Sequence, residues 1–261
     1  MPTDTAQPCR DPVPTVLMTR PRAASEQFVA ALRAQGHRFD VCLSPLFDIV
    51  PLSPDVTLDG VRGVIFSSAN GVAAWVSMQM ACDLPAYTVG RATAAAACDA
   101  GFEVRIIAQD AADLVAQMLA QPVCGPLLHL AGLHRRGNIS EKLSASGIPT
   151  TAVVVYDQPQ IPLSDAAQAL LTGQNPIIVP VFSPRTANLL AQSGGNAPLH
   201  VAAMSEAVAF NLAPLHIVSQ KVAARPDSSA MLEAVSALLT EAQAHYNENR
   251  RACSPADRLK G

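Results

Sequence analysis

The sequence predicts an α/β protein made of two similar parallel-sheet domains, and three observations carry that expectation. Short apolar runs alternate with amphipathic ones along most of the chain, the pattern of strand–helix units. Runs such as PIIVPVF are apolar throughout, which suits strands covered on both faces of a sheet. A design in the first half also returns in the second: VRGVIFSSANGVAAWVSMQ is answered by PIIVPVFSPRTANLLAQSG, each an apolar strand, Phe-Ser, a turn and a helix. Spacing agrees to within one residue, from Phe66 to Gly90 in one copy and from Phe182 to Ser205 in the other.

Taken in order, TVLMT (15–19) is the first expected strand. SEQFVAALRAQG (25–36) is a helix with Ser25 as N-cap and Gly36 at its stop. FDVCLSPLFDIVPL (39–52) reads as extended. GVIFSS is a strand and NGVAAWVSMQMA a helix; YTVG is a strand and RATAAAACDAG a helix ending in glycine. EVRII and PLLHLAG are strands, followed by the helices DAADLVAQMLAQ and ISEKLSASG, and TTAVVVYDQ is extended again. In the second copy LHVAAMSEAVAFNLA repeats AYTVGRATAAAACDA, and AARPDSSAMLEAVSALL repeats AQDAADLVAQMLA. This copy lacks an opening strand and helix, which the N-terminal segment can supply. Residues 14–41 and 161–245 then form one discontinuous domain and 52–152 an inserted one. Segments 42–51 and 153–160 become two connecting strands, and 1–13 and 246–261 flexible tails. Such domains are Rossmann-like or flavodoxin-like, and the cleft between them is the expected ligand site.

Composition narrows the function. A hydrophobic fraction of 49% against 15% charged residues is that of a chain that can fill a core. A formal net charge of −3 leaves no basic excess, so no nucleic-acid partner is expected. No apolar run approaches the roughly 20 residues of a spanning helix, so no membrane partner is expected either. The polar, Pro-rich start has no secretory core. The six cysteines are scattered without CxxC spacing, which suits free thiols in a reducing cytoplasm. Nothing in the sequence asks for more than a monomer.

Several chemistries are set aside by missing motifs. There is no GxGxxG, no GxxxxGK[ST] and no HExxH. Ser67 and Ser68 lack the GxSxG context of a nucleophile and any evident histidine partner. His129 and His134 read as ordinary core or loop histidines. What remains is a repeated design of strands that end in small polar residues before helices. FSSAN offers Ser67, Ser68 and Asn70; VGRAT offers Gly90 and Thr93; FSP and AMSEA offer Ser183 and Ser205. Helix starts present free amides and a positive dipole, which suit phosphates or carboxylates. Each motif alone is equally well a helix cap. Four in the same topological place favour an anion-binding cleft. Arg135 and Arg136 carry forks that match carboxylates, or they are a solvated surface pair; Arg20 and Arg185 share that ambiguity. Tyr156 has a phenol that donates a proton more readily than it accepts one at neutral pH, or it is an ordinary strand tyrosine.

TRP, FSSANGV, VGRATA, GLHRR, SGIPTTAVVVYDQ and FSP, in this order, resemble the uroporphyrinogen-III synthase family, from about residue 15 to 240. The resemblance implies two α/β domains joined by a two-stranded connection. It implies cyclisation of the linear tetrapyrrole hydroxymethylbilane to uroporphyrinogen III, with D-ring inversion and loss of water, on the way to heme and related tetrapyrroles. It implies no metal and no organic cofactor. Tyr156 aligns with the tyrosine of the family's VY motif, whose implied role is to help the hydroxyl leave as acid or hydrogen-bond donor. Much of the rest is expected to be orientation of the substrate ends and exclusion of water. One departure stands in the second copy, where AMSEAVA places Ser205 at a family glycine and Val208 at a family threonine. That departure is the feature that favours the competing reading, a non-catalytic two-domain sensor of a tetrapyrrole or other polycarboxylate.

Overall fold

The structure is a computed structural model and describes residues 13–80, 83–134 and 137–252. The chain divides into two compact units: one holds the residues up to Phe47 and those from Ile161 onward, and the other is Asp48–Gln160. It opens in the first unit with β1 (Thr15–Met18), α1 (Arg22–Ala34) and β2 (Asp40–Leu43). The second unit then runs β3 (Val50–Pro51), β4 (Gly63–Phe66), α2 (Ala69–Ser77), β5 (Ala86–Val89), α3 (Arg91–Asp99), β6 (Val104–Ala108), α4 (Ala111–Leu119), β7 (Leu127–Gly132), α5 (Ile139–Ala145) and β8 (Thr150–Asp157). On its return the chain adds α6 (Asp165–Thr172), β9 (Ile177–Val181), α7 (Pro184–Ser193), β10 (Leu199–Ala203), α8 (Glu206–Phe210), β11 (Ile217–Val222) and α9 (Ser228–Ala252) to the first unit.

In the first unit the sheet order is β11-β10-β9-β1-β2, all parallel. The N-terminal strand β1 therefore sits inside the sheet, between β2 and the strands of the C-terminal half. In the second unit the order is β3-β8-β7-β4-β5-β6, parallel except for the short β3, which runs antiparallel to β8. Laid side by side, β8-β7-β4-β5-β6 has the form of β2-β1-β9-β10-β11. The two sheets are one design entered at different points of the chain, which is the structural content of the sequence repeat.

Each sheet is covered on both faces, as its apolar strands require. In the second unit Phe66, Val72, Trp75 and Phe102 pack on one face, with Phe66 and Trp75 edge-on to Phe102 at 5.1 and 5.8 Å between ring centres. Ile65, Leu114, Met118, Ile139 and Leu143 fill the other face. Gly71 lets α2 lie against the sheet: a Cβ there would come 2.7 Å from the Leu130 carbonyl oxygen. In the first unit Leu17, Val179, Val201 and Leu190 form one face, and Val16, Phe28, Ile178 and Leu238 the other.

Several boundaries differ from the sequence expectation. The first helix starts at Arg22 with Pro21 as N-cap, not at Ser25; Ser25 is buried inside it and donates its hydroxyl back to the Arg20 carbonyl at 3.0 Å. Proline's fixed φ, here −48°, sets the helix entry without a side-chain cap. Cys42 and Leu43 belong to β2, and residues 153–157 to β8, so much of the expected connecting strands is sheet. Helix α6, capped by Ser164 through the Ala167 amide, is absent from the sequence expectation. Residues 246–252, expected as tail, continue α9. That stretch contains neither Gly nor Pro, so a helix already anchored by packing has no local reason to stop. The expected tails 1–12 and 253–261 lie outside the described residues.

Candidate functional site

Open parallel sheets bind ligands beyond the C-terminal ends of strands, where the strand order reverses. In the second unit that reversal falls between β4 and β7: from β4 the chain moves outward through β5 and β6, then returns to β7 and β8 on the other side. A cavity of about 290 Å³ lies there, lined by Ser67 and Ser68 after β4, Gly132 and His134 at the end of β7, Tyr156 on β8, and Val89, Gln109, Asp110 and Ala111. Polar groups from three adjacent strand ends thus meet in one place.

Tyr156 is 6% exposed. Its position depends on the strand irregularity between Ala131 and Gly132, which brings Gly132 opposite Tyr156. A Cβ on Gly132 would lie 2.6 Å from the ring carbon that bears the hydroxyl and 2.9 Å from the hydroxyl oxygen, so only glycine admits the ring. Burial pushes the Tyr156 phenol above its ordinary value, and a hydrogen bond with Ser68 pulls partly the other way. The phenol therefore stays protonated through the neutral range and serves as a donor.

Ser68 is the N-cap of α2 and accepts from the Asn70 amide at 3.2 Å. Ser67 is half-buried, and its hydroxyl meets Nε2 of His129 at 2.9 Å. His129, on β7 and 3% exposed, meets the Ser140 hydroxyl through Nδ1 at 3.1 Å. The expectation that Ser67 has no histidine partner is thus corrected. The two residues lie 62 positions apart, and parallel pairing of β4 with β7 puts them side by side. The GxSxG context of a nucleophile is still missing around Ser67.

The helix starts around the cavity are not equivalent. Asp110 caps α4, accepting from the amides of Ala112 and Asp113 at 2.8 and 2.9 Å, so a carboxylate already occupies that start. The α2 start is capped by a neutral hydroxyl. His134 lies 3.8 Å from the Asp157 carboxylate. Arg135 and Arg136 lie outside the described residues.

The other expected site residues have clear places. Gly90 is the N-cap position of α3 at φ 84°, with open space where a side chain would be, so its need for glycine is in the backbone. Thr93 is buried at 5% exposure within the packed face of α3, and its side chain does not line the cavity. In the first unit Ser183 caps α7, accepting from the Thr186 amide at 3.1 Å. Ser205 occupies the N-cap position of the five-residue α8 without a side-chain cap bond, and Val208 is buried beneath it. Two arginines of this unit lie over aromatic rings, Arg20 on Phe182 and Arg185 on Phe47, each 4.0 Å from the ring centre. Burial lowers the Arg20 pKa.

Sequence reasoning misses His129 as a partner, Gly132 as the seat for Tyr156, and the Gln109–Ala111 turn. The glycine in HLAG is the available signal: a glycine ending a fully apolar strand marks a close approach. Among the described residues no group of three or more His, Cys, Asp or Glu is placed to hold a metal ion. No helix among them is long and apolar enough to cross a membrane. Cys42, Cys98 and Cys124 are free thiols.

Comparison with known proteins adds identity to this geometry. The family model described as uroporphyrinogen-III synthase HemD matches residues 26–233. Among solved structures, uroporphyrinogen-III synthetase from Helicobacter pylori aligns at 16% identity with a TM-score of 0.62, covering 87% of this chain and 100% of that one. A mutant uroporphyrinogen III synthase from the extremely thermophilic bacterium Thermus thermophilus aligns at 14% identity with a TM-score of 0.51, covering 88% of this chain and 100% of that one. At these identities the likeness is one of fold. No curated protein sequence matches the chain.

Proposed function

The chain belongs to the uroporphyrinogen-III synthase family, lyases that cyclise hydroxymethylbilane in tetrapyrrole biosynthesis, and from that premise we propose that Tyr156, Ser68 and Ser67 form the working edge of its site. The supporting observation is the buried phenol of Tyr156, seated on Gly132 and lining the strand-end cavity with Ser68.

In this reading the C–O bond of the hydroxymethyl group breaks with its electron pair leaving on oxygen, and Tyr156 donates a hydrogen bond to that oxygen as charge develops. The pyrrole nitrogen conjugated to the same carbon supplies the electrons, leaving an azafulvene cation. The oxygen takes a proton from solvent and leaves as water, and that proton is balanced by the one released to solvent from ring D after attack, inversion and closure. A phenol held above its ordinary pKa keeps its proton, so hydrogen bonding suits it better than full transfer. Ser67 and the α2 start hold a substrate carboxylate, where a neutral cap and the helix dipole favour an anion. Arg135 and Arg136, directly after the His134 turn, are assigned to further carboxylates, as are Ser183 and Ser205 in the first unit. Asn70 and Gly90 shape their helix starts, and Thr93 supports α3 from within.

Replacing Tyr156 by Phe tests the assignment. Loss of one hydrogen bond to a developing charge predicts a fall in kcat of about ten- to a hundredfold, with folding intact. Turnover equal to the parent would remove Tyr156 from the chemistry and leave substrate positioning as the whole mechanism.

A further inference from the structure

Behind Ser67 at the cavity wall, His129 and Ser140 continue a hydrogen-bonded row, and the reaction above gives these two residues no role. Ser67 Oγ lies 2.9 Å from His129 Nε2, and His129 Nδ1 lies 3.1 Å from Ser140 Oγ. His129 and Ser140 are 3% and 4% exposed, while Ser67 reaches the cavity. A neutral imidazole can join two hydroxyls in either of two ways. With the proton on Nδ1, the ring donates to Ser140 and accepts the Ser67 proton, and Ser67 shows the cavity only lone pairs. With the proton on Nε2, the ring donates to Ser67, Ser140 donates to Nδ1, and the Ser67 proton is turned outward.

We propose that His129 is a positioning residue that holds Ser67 as an outward hydrogen-bond donor, through the Nε2–H tautomer in which Ser140 donates to Nδ1. The inference rests on the assignment of Ser67 to a substrate carboxylate. Lone pairs facing an anion would repel it, whereas an O–H fixed before binding donates without reorganisation. The setting supports this direction: the neighbouring Ser68 oxygen already caps α2 by accepting from the Asn70 amide, so Ser67, which also lines the cavity, is the hydroxyl better placed to face a ligand. A ring and a hydroxyl buried to 3% and 4% exposure are costly unless each proton has a fixed place.

Three measurements on the full chain test it. Nitrogen NMR of ¹⁵N-histidine-labelled protein, with His129 assigned by its loss in His129→Gln, should show a protonated Nε2 and an unprotonated Nδ1. The opposite tautomer or an imidazolium would overturn the proposal. Ser67→Ala should raise KM for hydroxymethylbilane about tenfold, as loss of one hydrogen bond to a charged group predicts. His129→Leu should do the same, and the double variant should be no worse than Ser67→Ala, the result expected when the ring's effect on binding passes through that hydroxyl. His129→Gln, whose amide nitrogen reaches the Nε2 position, should recover most of the loss even where leucine disturbs folding. If Ser67→Ala leaves KM unchanged, the carboxylate assignment itself fails. If it raises KM while His129→Leu adds its own loss, or Gln does not rescue, only the role of His129 fails.

Discussion

Gly132 and Tyr156 constrain each other, and the pair shows how a single backbone position can set a site. A methyl group on Gly132 would lie 2.6 Å from the phenol ring, so Gly132→Ala must displace the ring or the strand. We expect a stability loss of about 1–3 kcal/mol by denaturant titration, the usual cost of overpacking. Turnover should fall with it, but in a Tyr156→Phe background Gly132→Ala should cost little further turnover. The phenol also has a pH signature. Its folded pKa is raised above its unfolded value, so the stability it contributes is fully present below about pH 10 and is lost as pH rises through the raised value. Tyr156→Phe should therefore lose less stability than the parent on titration to strongly alkaline pH, as followed by thermal unfolding.

At the scale of elements, the strand-to-helix turns do most of the positioning. Ser68→Ala removes the α2 cap and should cost about 1 kcal/mol of stability. Gly90→Ala should cost about 1–3 kcal/mol, because the backbone at φ 84° is open to glycine alone while the space around it is free. The single tryptophan, Trp75, is buried in the same unit and makes its fluorescence the natural readout for both variants. These turns are largely legible in the sequence: Ser68, Gly90 and Ser183 stand at helix starts because small polar residues and glycine end apolar runs there. Pro21 is harder to read than Ser25, since a proline fixes the helix entry without offering the hydrogen bond that marks a cap in sequence. Contacts between distant strands are not legible in the same way. Nothing local in PLLHLAG ties His129 to Ser67; the register of β4 on β7 makes that pair, and it exists only once the sheet is formed.

At the scale of the molecule, one sheet order appears twice: β1 and β2 stand where β7 and β8 close the other sheet, so what the second copy takes from the N-terminus is its closing strands, not the opening strand and helix expected from sequence. The fold is legible because duplication prints the same apolar and turn pattern twice. The site is legible as a set of strand ends, and less so as a constellation, since adjacency depends on strand order. The family assignment joins that fold to one reaction, cyclisation of hydroxymethylbilane. Its most direct test is to supply hydroxymethylbilane to the purified chain and resolve the product isomers by chromatography. Uroporphyrinogen III, formed faster than spontaneous closure, is the predicted product. Isomer I alone, appearing at the uncatalysed rate, would contradict the assignment.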